Sequence, residues 1–116
     1  MSAAEALGEA RRETSARITS LTDQLAGIVD TASSSSGDDE HDPEGQTIAY
    51  DRAQVQALLD GARADLVEID AALGRVSAGT YGVCERCGEP IGAERLEARP
   101  SARECVRCAS RPRRRP

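Results

Sequence analysis

Two cysteine pairs, Cys84-Glu85-Arg86-Cys87 and Cys105-Val106-Arg107-Cys108, constrain this chain more than any other stretch. A C-x-x-C turn lets two thiolates grip one ion, and a second pair, separated from the first by seventeen residues, completes the pattern of a tetrahedral zinc site. A single pair of this kind would also suit redox chemistry, but that chemistry belongs with a βαβ pattern absent from the sequence. All four cysteines of the chain are used, and four thiolates leave no open coordination position. The expected cofactor is therefore one structural Zn2+ held by Cys84, Cys87, Cys105 and Cys108, with no role in activating water. Arg86, Arg103 and Arg107 stand beside these ligands and are expected to offset the negative charge of the thiolates. Ser101 and Glu104 form an S-x-x-E capping box, which predicts a short helix carrying the second pair.

With 116 residues, 2% aromatics and neither Phe nor Trp, the chain has little material for a globular core, so an elongated helical arrangement is expected. Ser2 and Glu5 form another capping box, and the Ala-, Glu- and Arg-rich stretch that follows contains no proline. Ile18, Leu21, Leu25 and Ile28 recur at spacings of three and four; Leu7 continues this seam backward, with Arg11 and Thr14 as weak steps. The spacing predicts a helix over about 3–31. Ser33 to Gly37 should end it, because serine and glycine favour turns.

A second helix can begin at Asp42-Pro43, a good N-cap and first-turn pair, or at Thr47. Its seam runs through Ile48, Val55, Leu59, Ala62, Leu66, Ile69, Leu73 and Val76, and Gly79 is placed to stop it. Neither narrow apolar stripe can be buried alone. The predicted fold is all-α: an antiparallel coiled-coil hairpin over 1–79 with an acidic tip loop at about 32–47, then a small four-cysteine zinc-finger module over 80–109. The competing arrangement is a parallel homodimer through either helix. The matched arms favour the hairpin, and hence a monomer.

Charge is unevenly distributed along the chain. Asp38, Asp39, Glu40, Asp42 and Glu44 crowd the middle, whereas Arg111, Arg113, Arg114 and Arg115 end it. The proline- and arginine-rich residues 110–116 are expected to remain a disordered basic tail. With no apolar leader and no run approaching a membrane span, a cytoplasmic location is expected, where reduced thiols favour metal ligation over disulfides.

The zinc module resembles the DksA/TraR family of bacterial transcription regulators. The residues that carry the likeness are Gly82-Val83-Cys84-Glu85-Arg86-Cys87-Gly88, then Ile91-Gly92, then Arg95-Leu96-Glu97-Ala98-Arg99-Pro100, and the second C-x-x-C. The helical hairpin before it agrees in architecture and order. The resemblance implies direct binding to RNA polymerase, with the coiled-coil tip entering the secondary channel and altering initiation without contact to DNA. Asp51-Arg52-Ala53 resembles the Asp-x-Ala element of the family's tip, which implies roles there for Asp51 and Ala53 and, secondarily, for Asp38, Asp39, Glu40 and Asp42. The sequence departs from the family where the longer tip motif wants an acid and Ile48 stands. It departs again at 42–50, which is expanded, and at Pro112, which precludes the C-terminal helix of the longer members. That helix forms part of their guanosine tetraphosphate site, so the nucleotide is not assigned as a partner here.

Two other classes compete with this reading. A zinc-ribbon module binding nucleic acid or another protein would use Arg86, Arg103, Arg107 and the terminal arginines, but the net charge of -5 and the shortage of stacking aromatics oppose nucleic-acid binding. An enzyme would have to use the acidic run and the lone His41, which reads more simply as polar surface. No catalytic residue and no membrane partner is predicted. On residues alone, the acidic loop would serve as a device that keeps the turn soluble.

Overall fold

The computed structural model describes residues 1–34 and 43–112. Four helices occur among them: α1 (Ala3–Ser34), α2 (Pro43–Ala78), α3 (Ala93–Ala98) and α4 (Val106–Ala109). No strand is present among the described residues; one isolated antiparallel bridge joins Val83 to Pro90. Of the two candidate starts for α2, the helix takes the earlier, at Pro43, whose fixed φ suits a first turn. Since α1 runs on to Ser34, the connection expected at 32–47 narrows to residues 35–42, which lie outside the described residues together with 113–116.

At the N-terminal end of α1, Ser2 caps the helix as expected, with the Glu5 carboxylate bonded to its hydroxyl in place of its backbone N–H. The Glu5 N–H donates to Ser2 Oγ at 3.1 Å, and the Ser2 hydroxyl donates in turn to Glu5 Oε1 at 3.2 Å. At the far end of α2, Gly79 adopts φ 79°, the Gly79 N–H donates to the Val76 carbonyl at 3.2 Å, and the Thr80 N–H donates to the Arg75 carbonyl at 2.9 Å. This pair of bonds is a Schellman motif, and glycine suits it because the left-handed conformation penalises a Cβ.

The chain divides into two compact units, one of residues 1–11 with 67–116 and the other of 12–66. In the first, the start of α1 pairs with the end of α2: Leu7, Ile69 and Ala72 are buried together, with Ala10, Leu73, Val76 and Tyr81 packed against them. In the second, the remainder of α1 pairs with the first half of α2 around Leu21, Leu59 and Ala62, flanked by Ile18, Leu25 and Val55. Start-to-end pairing of this kind is antiparallel, as the hairpin requires. Full burial of one leucine side chain contributes about 1.5–3 kcal/mol, so a few residues per unit supply most of the apolar stabilisation.

Nearly every buried position of the two long helices lies on the predicted seams. Thr14, a weak step, is 6% exposed, whereas Arg11 leaves the seam and bonds Asp70 at 2.7 Å. Ala72 is the addition: it is fully buried although the strict heptad passes it by, because it packs with Ile69 and Leu7 at the end of α2. No helix among the described residues is long and apolar enough to cross a membrane.

Candidate metal centre and tip segment

Beyond the Schellman turn the chain reverses through Gly82 (φ 85°) and Gly88 (φ 77°). Cys84 N–H donates to the Glu89 carbonyl, Gly88 N–H to the Cys84 carbonyl and Ile91 N–H to the Gly82 carbonyl, at 2.8, 2.9 and 2.8 Å. These bonds close the first Cys pair into a tight knuckle. A Cβ at Gly82 would meet Leu96 Cδ1 at 3.5 Å, ordinary contact, so its positive φ rather than lack of room makes glycine necessary there. The second pair arrives on α4, whose N-cap is Cys105.

The Ser101–Glu104 box predicted to open that helix does not do so. No side chain caps α4, and residues 101–104 remain a turn whose carbonyls are taken by arginines: Arg75 Nη2 donates to Ser101 and Ala102 at 3.4 Å each, and Arg95 Nε to Glu104 at 2.7 Å. The Glu104 carboxylate lies 3.9 Å from Arg86. With the side chain and backbone engaged elsewhere, the helix starts later.

The four Sγ atoms of Cys84, Cys87, Cys105 and Cys108 lie within 4.8 Å of one another, with Cys87 and Cys105 at 3.9 Å. A zinc ion with bonds of about 2.3 Å sets tetrahedral S–S edges of about 3.8 Å, so the donor set fits. Cys84, Cys105 and Cys108 are buried with Ile91 and Ala102, and Leu96 packs against them; Cys87 is exposed. Burial pushes the Cys108 thiol up to about 12, helped by its neighbouring thiols. Burial opposes ionisation of Cys84 as well, but backbone hydrogen bonds at Cys105, Cys87 and Arg86 outweigh it and bring that thiol down to about 6. Zinc stabilises the thiolate form of its ligands and would override this spread.

Two of the three arginines expected to offset the thiolates have more specific tasks. Arg86 Nη1 donates to the carbonyls of Cys108 and Arg111, clamping the first knuckle onto the second pair. Arg103 grips both oxygens of Glu68 on α2 through Nε and Nη2 while Nη1 reaches Glu85 at 3.2 Å. That fork holds the Glu68 carboxyl below the usual carboxylate range. Arg107 is exposed. Tyr81 packs against the Leu7 cluster, and its hydroxyl donates to the Pro100 carbonyl at 2.7 Å. Sequence reasoning missed Glu68, Arg75 and Tyr81, and it quoted Arg95 for the family likeness without its bond to Glu104. Their only signal was charge and an aromatic close to the finger, with no spacing rule to connect them.

Residues 79–114 match the family model of the prokaryotic dksA/traR C4-type zinc finger. Over 104 residues the chain is 40% identical to the RNA polymerase-binding transcription factor DksA of Caulobacter vibrioides, covering 90% of this chain and 63% of that protein. The finger is thus of the dksA/traR C4 type, and the chain as a whole is similar to DksA proteins. General stress protein 16O of Bacillus subtilis is 43% identical over 72 residues, covering 62% of this chain and 44% of that one. The transcription factor DksA2 from Pseudomonas aeruginosa superimposes with a TM-score of 0.77 at 29% identity, covering 92% of this chain and 77% of that structure. The DksA/TraR likeness thus takes in both helices as well as the finger. Its four cysteines are those gathered here, and one zinc is the metal they hold.

The residues expected at the tip are described in part. Asp51 and Ala53 are exposed on α2, and Ile48 is half-buried. Gly45, Ile48, Ala49, Arg52, Ala53 and Gln56 line a shallow hollow of about 540 Å³. Asp38, Asp39, Glu40, His41 and Asp42 lie outside the described residues.

Proposed function

We propose that this chain binds RNA polymerase directly and modulates transcription initiation, with the tip of its hairpin entering the secondary channel and the zinc finger serving as a structural base. The observation that carries this reading is the extent of the likeness to a protein named for polymerase binding: it covers 90% of this chain, helices and finger together. A finger alone would have supported no more than a metal module. The chain spans 63% of that relative's length, so the activity is inferred for what the chain contains.

Physical considerations agree with it. Paired helices with an exposed acid and small residues near their loop suit a narrow channel, where an aspartate close to metal and phosphate would act in a low effective dielectric. Four thiolates satisfy the zinc and leave it no substrate position, so the metal has structural work and no catalysis is assigned. The protein acts in the cytoplasm as a monomer, reads no DNA sequence, and uses Asp51 as its principal tip residue, with Ala53 beside it and the acids at 38–42 in support.

Binding energy spreads over long helical surfaces, whereas an effect on a catalytic centre depends on a few delivered charges. Asp51→Asn is therefore expected to abolish regulation of a ribosomal-type promoter by purified host polymerase while affinity stays nearly unchanged. A companion variant neutralises Asp38, Asp39, Glu40 and Asp42 together. If both variants regulate like the parent, the tip is only a solubility device and the reading fails. Simultaneous loss of binding and regulation would make the tip a docking surface and refute the assignment of Asp51.

A further inference from the structure

We propose that Glu68, on α2 and outside the finger, is a positioning residue for the zinc site. It acts through Arg103, which ties both cysteine knuckles to the helix. The reading rests on the zinc assignment and not on polymerase binding.

The connection runs through few atoms. Arg103 stands two residues before Cys105, and its backbone carbonyl accepts the N–H of Glu85, the residue after Cys84, at 2.9 Å. Its side chain reaches Glu85 Oε1 as well. One residue therefore stitches the two knuckles by main chain and side chain. The remaining edge of the same guanidinium is held by both carboxylate oxygens of Glu68, the fork geometry in which arginine fixes direction as well as charge. Arg75, also on α2, adds a parallel tie to the carbonyls of Ser101 and Ala102 and lies 3.9 Å from Glu85. Ala102 is itself buried in the cysteine cluster.

Four sulfur atoms from two separate loops must converge for tetrahedral binding, and whatever holds those loops in register beforehand raises affinity for the ion. Partners that orient metal ligands typically change affinity by about 10–100-fold. Glu68 works one step further out, and both members of its pair are partly solvated, which weakens it. Its effect therefore belongs at or below the low end of that range. By reciprocity, bound zinc strengthens the grip of Arg103 on α2 to the same degree.

The test uses the whole chain, with zinc affinity measured by competition against a chromogenic chelator at neutral pH. Glu68→Gln keeps shape and removes charge, and is expected to weaken zinc binding about three- to tenfold. Asp60→Asn, which deletes a charge elsewhere on α2, should leave affinity unchanged. In an Arg103→Ala background, Glu68→Gln should have no further effect, whereas a general loosening of α2 would persist there. The Co2+ absorption bands should keep their four-thiolate form in every variant. Zinc affinity within twofold of the parent in Glu68→Gln, or a loss of equal size with and without Arg103, would overturn the proposal.

Discussion

The unit that contains the cysteines and the unit of residues 12–66 are built from the same two helices by different means. In the first, a short apolar cluster around Leu7 is reinforced by Arg11–Asp70, Tyr81–Pro100, the Glu68–Arg103–Glu85 bridge and four convergent thiols. In the second, Leu21, Leu59 and Ala62 form the buried cluster, and Thr19, Thr22, Gln24 and Gln56 bond residues four positions away on their own helix. Local bonds of that kind stiffen a helix without fixing its neighbour. Among the described residues, the bonds that tie distant parts of the chain together gather where a metal is to be held.

Removal of the metal should break this contrast most severely. Structural zinc in small fingers has an apparent binding free energy of about 10–16 kcal/mol, comparable to or above the total stability of a typical domain. Metal analysis should find one zinc per chain, and Cys105→Ser should lose it along with protease resistance between residues 80 and 108. Helical content from 12–66 should survive better. Equal melting of both units on chelation would show that they do not differ in this way.

A smaller loss is expected from the other unit. Leu59 is 1% exposed, and Leu59→Ala should destabilise the hairpin there by about 2–5 kcal/mol in denaturant titration, leaving zinc stoichiometry unchanged. Leu58, its neighbour in sequence, is 56% exposed and should tolerate alanine. The smallest effect is that of Tyr81→Phe, which deletes the bond to the Pro100 carbonyl while keeping the ring against Leu7. A loss of about 1 kcal/mol is expected, confined to the zinc-bearing unit and read out by hydrogen exchange at its amides.

The sequence disclosed what obeys a period or a spacing. Two C-x-x-C pairs located the metal centre, apolar residues at three and four located Leu7, Leu21, Leu59 and Ile69, and Gly79 marked the end of α2. Cross-links between distant residues follow no such rule. Glu68 and Arg103 are thirty-five residues apart, and nothing in their local context distinguishes them from solvated charges. The Ser101–Glu104 box shows the reverse error: the right residues at the right spacing fail to cap because tertiary partners claim Glu104 and the carbonyls around it. The Asp-x-Ala reading of Asp51 rests on family resemblance alone, since an exposed aspartate near a loop has no signature of its own.

The central proposal is that this chain binds RNA polymerase, with its paired helices and finger acting as one ligand. Its most direct test is titration of the labelled, zinc-loaded protein with purified bacterial core RNA polymerase, with unlabelled DksA as competitor. The account predicts saturable binding of one chain per polymerase, displaced by DksA and unaffected by duplex DNA. Absence of saturable binding by zinc-loaded protein, or binding that DksA fails to displace, would contradict it.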